Sequence, residues 1–161
     1  MTLTRLACLL VVSIGCASAA AVVVSVEGNL LPPACVVHNG GGGDIDVDFG
    51  DDININRLNG TNYRQVVTYG VTCGDDGHKW PLRLRFVGTG ASWDAQTLRT
   101  SEKNLGIRLT LNGAPVNFGS NIPVTDSTNL PVMVAVPVAN PSESPDEGEF
   151  TAAANLLAEY Y

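Results

Sequence analysis

The sequence is short of basic residues and of histidine. Its 161 residues include nine lysines and arginines against sixteen aspartates and glutamates, for a formal net charge of −7. No basic surface is available to neutralise a phosphate backbone or anionic lipids, so we expect no nucleic acid partner and no membrane surface. Only two histidines and four cysteines are present, without closely spaced pairs, so we expect no metal, no cofactor and no enzymatic activity.

Long hydrophobic runs are also missing, apart from one near the N-terminus. The stretch 6–14 (LACLLVVSI) follows Arg5 and precedes small residues that include the A-x-A-like Ala17-Ser18-Ala19. A run of this length is too short for a membrane span, which needs about 20 residues. We therefore predict a secretory signal peptide over 1–20, and export of the rest without membrane insertion. The cut follows Ala19, Ala20 or Ala21.

Few cysteines remain after cleavage of this leader. Cys35 and Cys73 form one pair in an oxidising compartment, and a disulfide is the default interpretation. A pair of catalytic thiols is the alternative, but the spacing is not C-x-x-C. The bridge would close a loop of 38 residues, which the loop-entropy model values at about 4 kcal/mol.

Short period-two patterns between turn residues dominate the mature chain. This arrangement predicts an all-β sandwich or barrel, with a short helical turn expected within 92–104. The predicted strands are 63–73, Leu82–Val87, Leu105–Leu111, 130–138 and 150–160.

The acidic stretch 44–49 (DIDVDF) resembles the start of a calcium-binding EF-hand loop. The sixth position of such a loop would be glycine and the twelfth glutamate, but Phe49 and Ile55 stand there. The alternation instead predicts a strand with a solvated acidic face.

The segment 21–31 (AVVVSVEGNLL) predicts a strand that needs a groove for its apolar face. The opposite face turns polar at Ser25, Glu27 and Asn29. An ordinary first strand, paired within its own sheet, is the alternative. The apolar face carries Val22, Val24, Val26, Gly28 and Leu30.

The C-terminal segment 148–161 (GEFTAAANLLAEYY) predicts a second strand of this kind. The chain stops where the strand stops, so we expect no following strand at its far edge. The alternative is the last core strand of a complete sandwich. One face carries Gly148, Phe150, Ala152, Ala154, Leu156, Ala158 and Tyr160.

These two segments, the Cys35 and Cys73 positions and the stretch 48–50 (DFG) resemble the pilin subunits of chaperone–usher pili in Gram-negative bacteria. The resemblance covers essentially the whole mature chain. It implies an incomplete immunoglobulin-like sandwich over 32–161 that lacks its last strand, with a groove beside 150–160. It also implies that 21–31 is a donor strand. A periplasmic chaperone would fill the groove first, and a neighbouring subunit would replace it at the outer-membrane usher.

The resemblance implies a structural subunit, exported through the periplasm to a surface fimbria that supports adhesion. The length leaves no room for a second, lectin domain, and the short entry 28–31 favours a minor or adaptor-like subunit. The alternative function is a secreted, self-complete β-sandwich that binds a ligand, with Trp93 as a sugar platform. Packing is the competing interpretation for Trp80 and Trp93.

Overall fold

The computed structural model describes residues 22–30, 35–74 and 81–160. The predicted signal peptide and its cleavage site, Leu31 of the predicted donor strand and Trp80 lie outside these residues. The chain divides into two units after Leu30. No helix in the described ranges is long and apolar enough to cross a membrane.

The unit after Leu30 is built from β-strands, which confirms the all-β prediction. A single turn of 3-10 helix, Ile55–Arg57, interrupts them. The strands are β1 Cys35–His38, β2 Gln65–Val67, β3 Gly70–Cys73, β4 Leu82–Val87, β5 Gly90–Ala91, β6 Asp94–Arg99, β7 Leu105–Leu111, β8 Ala114–Pro115, β9 Asn121–Val124, β10 Met133–Ala139 and β11 Asn155–Tyr160.

The largest sheet has the strand order β2-β10-β7-β6-β5, with β8 as an extra strand beside β7. At its centre, β7 pairs with β10 along its whole length, and its other edge pairs with β6 and β8. The turn from β7 to β8 uses Asn112 and Gly113, whose φ angles of 47° and 80° suit an Asn-Gly hairpin. Both edges of β7, the central strand of this sheet, are therefore paired.

Two smaller sheets complete the unit. One has the order β11-β4-β9, and the other is the antiparallel pair β1-β3. Cys35 and Cys73 stand opposite each other in the β1-β3 register and form the predicted disulfide.

The core consists of two clusters of buried side chains. The first lies under the large sheet and includes Phe86, Leu98, Ile107, Leu109 and Met133. The second contains Leu82, Leu84, Val124 and Tyr160, with the disulfide cysteines packed against it. Strand β4 contributes to both clusters, so it joins the two parts of the core.

Two sequence predictions about segments of the large sheet differ from the structure. The expected strand 63–73 is two strands, because β2 pairs with β10 while β3 pairs with β1, so the chain changes sheets at Thr68-Tyr69. The helical turn expected within 92–104 is wrong, because β6 occupies 94–99 and pairs with β7, and no helix is present on either side of it within this stretch. The Asp94 carboxylate accepts hydrogen bonds from the Gln96 amide and the Thr97 hydroxyl, a local pattern that also suits a helix start.

Candidate functional site: an open sheet edge

Strand β11 is paired along one edge only. It runs antiparallel to β4, from Asn155 opposite Val87 to Tyr160 opposite Leu82. Its other edge has no partner strand in the described residues. On its inner face Leu156 and Ala158 remain half-buried. The strand therefore presents unpaired backbone groups beside apolar side chains that lack a complete cover.

The stretch 44–49 approaches the 150–160 segment at one end, where the Phe49 ring lies against Phe150. Its aspartates are exposed while Ile45, Val47 and Phe49 are half-buried, so the predicted alternation is present. Within the described residues, however, this stretch belongs to no sheet. Its apolar residues pack on the first core cluster, as do Phe150 and Leu156. The strip of core between 44–49 and 150–160, with these two runs as its rims, is called the groove below.

Phe49 and Phe150 connect the two rims at one end of the groove. Their ring centroids are 6.2 Å apart with a tilt of 39°, a separation typical of aromatic pairs in contact. Nearby, Thr151 and Ser101 exchange two hydrogen bonds. The Ser101 amide donates to the Thr151 carbonyl at 2.8 Å, and the Thr151 amide donates to Ser101 Oγ at 2.9 Å. These bonds hold the start of the 150–160 rim to the large-sheet side of the molecule.

The part of the 150–160 rim that immediately precedes β11, 152–154, consists of small residues. Ala152 and Ala154 are exposed, and Ala154 lies over Gly88. A Cβ atom at Gly88 would stand 3.2 Å from Ala154 Cβ and 2.9 Å from Leu98 Cδ1. A side chain at position 88 would therefore collide with Leu98 and press on Ala154, which explains the glycine there.

The disulfide and the second core cluster lie at the other end. Cys35, Cys73, Leu156 and Ala158 all pack against this cluster. Tyr160 is 9% exposed, and its hydroxyl has no hydrogen-bond partner in the described part of the chain. Burial raises the pKa of the Tyr160 hydroxyl. Burial of Tyr160 in this cluster fixes the last residue of β11.

The outer face of β11 carries the only charge of that strand. Glu159 stands opposite Arg83, and its carboxylate lies 3.2 Å from Arg83 Nη2 and 3.4 Å from Arg85 Nη2. The negative charge at this rim is therefore balanced by two neighbouring guanidinium groups.

The separate segment 22–30 forms neither helix nor strand. Its apolar side chains are almost fully exposed, from 80% at Val24 to 98% at Leu30. A Cβ atom on Gly28 would meet nothing within 4 Å.

The structure brings most of the predicted C-terminal site residues together, but in two parts. Leu156, Ala158 and Tyr160 lie on the paired strand, whereas Phe150, Ala152 and Ala154 precede it. Gly148 is exposed with φ 144°, a conformation that glycine tolerates. Sequence reasoning missed the partner rim, although the alternation over 44–49 was the signal that could have identified it.

A separate cleft of about 480 Å³ lies on the large sheet, bordered by Trp93, Asp94 and Arg108. The Trp93 indole donates to the Lys103 carbonyl at 3.1 Å, and its ring covers Gly106. Hydrogen bonds from Thr97 and Gln96 lower the pKa of Asp94, with a smaller contribution from Arg108. Trp93 thus has a packing role, and no group of ligating side chains in the described ranges could hold a metal ion.

Comparison with known proteins identifies the family. The model of the family described as "Fimbrial protein" matches residues 24–161. The fimbrial-like protein YfcQ of Escherichia coli strain K12 is 32% identical over 157 residues, which span 94% of this chain and 95% of YfcQ.

Solved structures show the same fold. The P pilus rod subunit PapA has a TM-score of 0.58 at 21% identity, over 86% of this chain and 99% of PapA. The P pilus adaptor subunit PapF has a TM-score of 0.56 at 23% identity, over 83% of this chain and 100% of PapF. The described sandwich therefore has the same fold as these pilus subunits. The chain belongs to the fimbrial protein family and is a structural, non-enzymatic subunit of a surface pilus.

Proposed function

We propose that this subunit joins its fibre by donor-strand exchange after a periplasmic chaperone has covered the groove. The unpaired edge of β11, beside the unpaired stretch 44–49, carries the proposal. An open edge next to half-buried apolar side chains is an aggregation hazard that needs a cover. A chaperone strand would supply that cover first, and a neighbouring subunit would replace it at an outer-membrane usher.

A single added strand would both pair with the open backbone edge of β11 and cover the apolar side chains of the groove. Its backbone would pair with the free edge of β11, and its alternate side chains would lie on the core between the two rims. A donor glycine would fit where the donor backbone comes closest to the core between the rims. The arrangement therefore calls for a donor with apolar residues at every second position.

Residues 21–31 of a second copy, or an equivalent segment of another subunit, have this pattern. In our proposal 1–20 is removed, 21–31 is given to a neighbour, and 32–161 is the sandwich that receives a donor. Val22, Val24, Val26 and Leu30 are exposed in the free segment, so each would gain cover. Burial of four such side chains at about 1.5–3 kcal/mol each gives roughly 6–12 kcal/mol as an upper estimate.

Variants of the donor test the proposal. Val24→Asp would bury an unpaired carboxylate, and Gly28→Leu would overfill the groove. We expect both to prevent fibre assembly, whereas Ser25→Ala, on the outer face, assembles normally. Electron microscopy of fibres would be compared with co-purification of the chaperone, which all three variants should retain. Normal fibres from both Val24→Asp and Gly28→Leu would refute the donor role.

Variants of the groove separate its role from that of the donor. Ala154→Lys would place a charge on the 150–160 rim beside Gly88, and deletion of 156–161 would remove most of β11. We expect both to lose the chaperone complex and to be degraded in the periplasm. A chaperone complex of normal yield with either variant would contradict the proposal that the chaperone uses this groove.

A further inference from the structure

The two rims of the groove differ in charge. On one rim Asp44, Asp46 and Asp48 are all exposed and alternate with the half-buried apolar residues. On the other rim the one charged residue of β11, Glu159, is balanced by Arg83 and Arg85. An incoming strand would therefore meet a negative border on one side and a nearly neutral border on the other.

The donor segment of this chain carries a negative charge on its outer face. If the even positions face the groove, the outer face consists of Ser25, Glu27 and Asn29, and only Glu27 is charged. Side chains on the outer face of a donor lie level with the exposed side chains of the rims. Like charges directly opposite each other on paired strands are unfavourable, and opposite charges are favourable.

The period of two makes this conflict independent of the exact register. The aspartates occupy every second position of 44–48, and the outer residues of a donor also recur every second position. Any in-phase register that lays position 27 beside this stretch therefore places Glu27 opposite or diagonal to an aspartate. A shift by two residues changes only which aspartate it meets.

We propose that the acidic rim selects donors with a basic or uncharged outer residue and disfavours the donor of a second copy of this chain. This inference rests on the proposed donor-strand function. It makes the subunit a member of a mixed fibre, placed between subunits of different sequence, in agreement with a minor or adaptor-like position. The partner is thus a pilin whose donor segment carries lysine, arginine or a neutral residue where this chain has Glu27.

Synthetic donor peptides test the selection. The full chain, purified with any chaperone that accompanies it, is offered peptides of residues 21–34 with the natural Glu27, with Glu27→Gln or with Glu27→Lys. Native mass spectrometry follows their uptake at about 0.02 M and about 0.5 M salt, because screening weakens exposed charges. We expect the Glu27→Lys peptide to enter about three- to tenfold faster than the natural one at low salt, with the Glu27→Gln peptide between them.

Matched groove variants identify the acidic rim as the cause. The triple change Asp44→Asn, Asp46→Asn and Asp48→Asn should remove most of the difference between the peptides. Asp126→Asn, Glu143→Gln and Asp146→Asn change the net charge equally at exposed positions outside both rims, and should preserve the difference.

The possible failures are distinguishable. Equal uptake of the three peptides at low salt would overturn the charge selection and leave donor-strand exchange standing. An equal response of both triple variants would also overturn it, because net charge alone would then be responsible. Failure of every peptide to enter the groove would overturn the proposed function together with the inference.

Discussion

Strands β7 and β11 have similar alternating sequences but different surroundings. Strand β7 is paired along both edges, and its inward residues Leu105, Ile107, Leu109 and Leu111 are 4–7% exposed. Strand β11 is paired along one edge, and its inward Leu156 and Ala158 are only half-buried. The pattern of a strand determines which face turns inward, but the neighbouring strands determine how much of that face is covered.

The sheet around β7 is complete by itself, whereas the sheet that contains β11 ends in an open edge in the described residues. Around β7 the apolar surface is already removed from water, and each Å² of it stabilises the fold by about 25 cal/mol. Along β11 the same kind of surface remains available for binding. The subunit therefore combines a stable sheet with an adjacent sheet edge that we propose is completed only in the fibre.

The largest expected effect concerns the disulfide beside the groove. The combined change Cys35→Ser and Cys73→Ser should lower the free energy of unfolding by about 4 kcal/mol, because a 38-residue loop is no longer closed in the unfolded chain. Urea denaturation of the peptide-filled subunit measures this loss. A loss below about 1 kcal/mol would show that β1 and β3 hold together without the bridge.

Hydrogen exchange of the same variant tests the comparison between the two strands. Cys35 and Cys73 pack with the cluster that supports β11, whereas β7 lies in the other sheet. We expect amides of β1, β3 and β11 to lose protection before those of β7. Simultaneous loss in β7 would mean that the open and closed parts unfold as one unit.

The second effect compares two leucines. Leu109→Ala should lower the free energy of unfolding by about 2–5 kcal/mol, as is usual for a fully buried leucine. Leu156→Ala should lower it clearly less in the subunit without a bound donor peptide. Binding of a donor peptide would cover Leu156 and bring its cost closer to that of Leu109. Denaturation of both variants with and without peptide measures this change, and an unchanged cost for Leu156→Ala would contradict groove filling at this position.

The sequence predicted the faces of the strands better than their pairing. Alternation identified β4 and β7 with correct bounds and the buried face of 44–49, because side-chain direction follows from local backbone geometry. The break of 63–73 at Thr68-Tyr69 depends on pairing with β10 and β1. Those partners are distant in sequence, so local patterns contain no sign of the break.

The groove was predictable only in part. The resemblance gave one rim, at 150–160, and the donor-like pattern of 21–31. It did not give the second rim, because an acidic alternating stretch looks the same whether it is paired or unpaired. The helical turn expected within 92–104 failed because the side-chain hydrogen bonds of Asp94 suit both a helix start and a turn before β6.

The third effect concerns Tyr69, where the chain passes from one sheet to another. Its hydroxyl donates to the Pro131 carbonyl at 2.8 Å, and burial raises its pKa from 10.0 to about 12. Tyr69→Phe should lower the free energy of unfolding, measured by urea denaturation at neutral pH, by about 1 kcal/mol, because this hydrogen bond is lost.

The raised pKa of Tyr69 also predicts an alkaline effect. The fold favours the protonated hydroxyl, so its contribution is fully present below pH 10 and is lost as the pH rises towards 12. Between pH 10 and 12 the free energy of unfolding, measured by denaturation, should fall less in Tyr69→Phe than in the natural chain. An identical fall in both would show that other groups cause it, such as the Tyr160 hydroxyl, whose pKa burial also raises.

The smallest effect concerns Glu159 on the outer face of β11. Its carboxylate lies within 3.4 Å of both arginines, but the three side chains are 32–37% exposed, so water and salt screen the attraction. Glu159→Gln should lower the free energy of unfolding by less than about 1 kcal/mol at low salt. At about 0.5 M salt the difference should nearly vanish, since exposed ion pairs are screened. Urea denaturation at the two salt concentrations measures it. A loss that stays above about 1 kcal/mol at high salt would mean that the pairing with Arg83 and Arg85 helps to hold β11 on β4, and that the open edge depends on charge as well as on apolar contact.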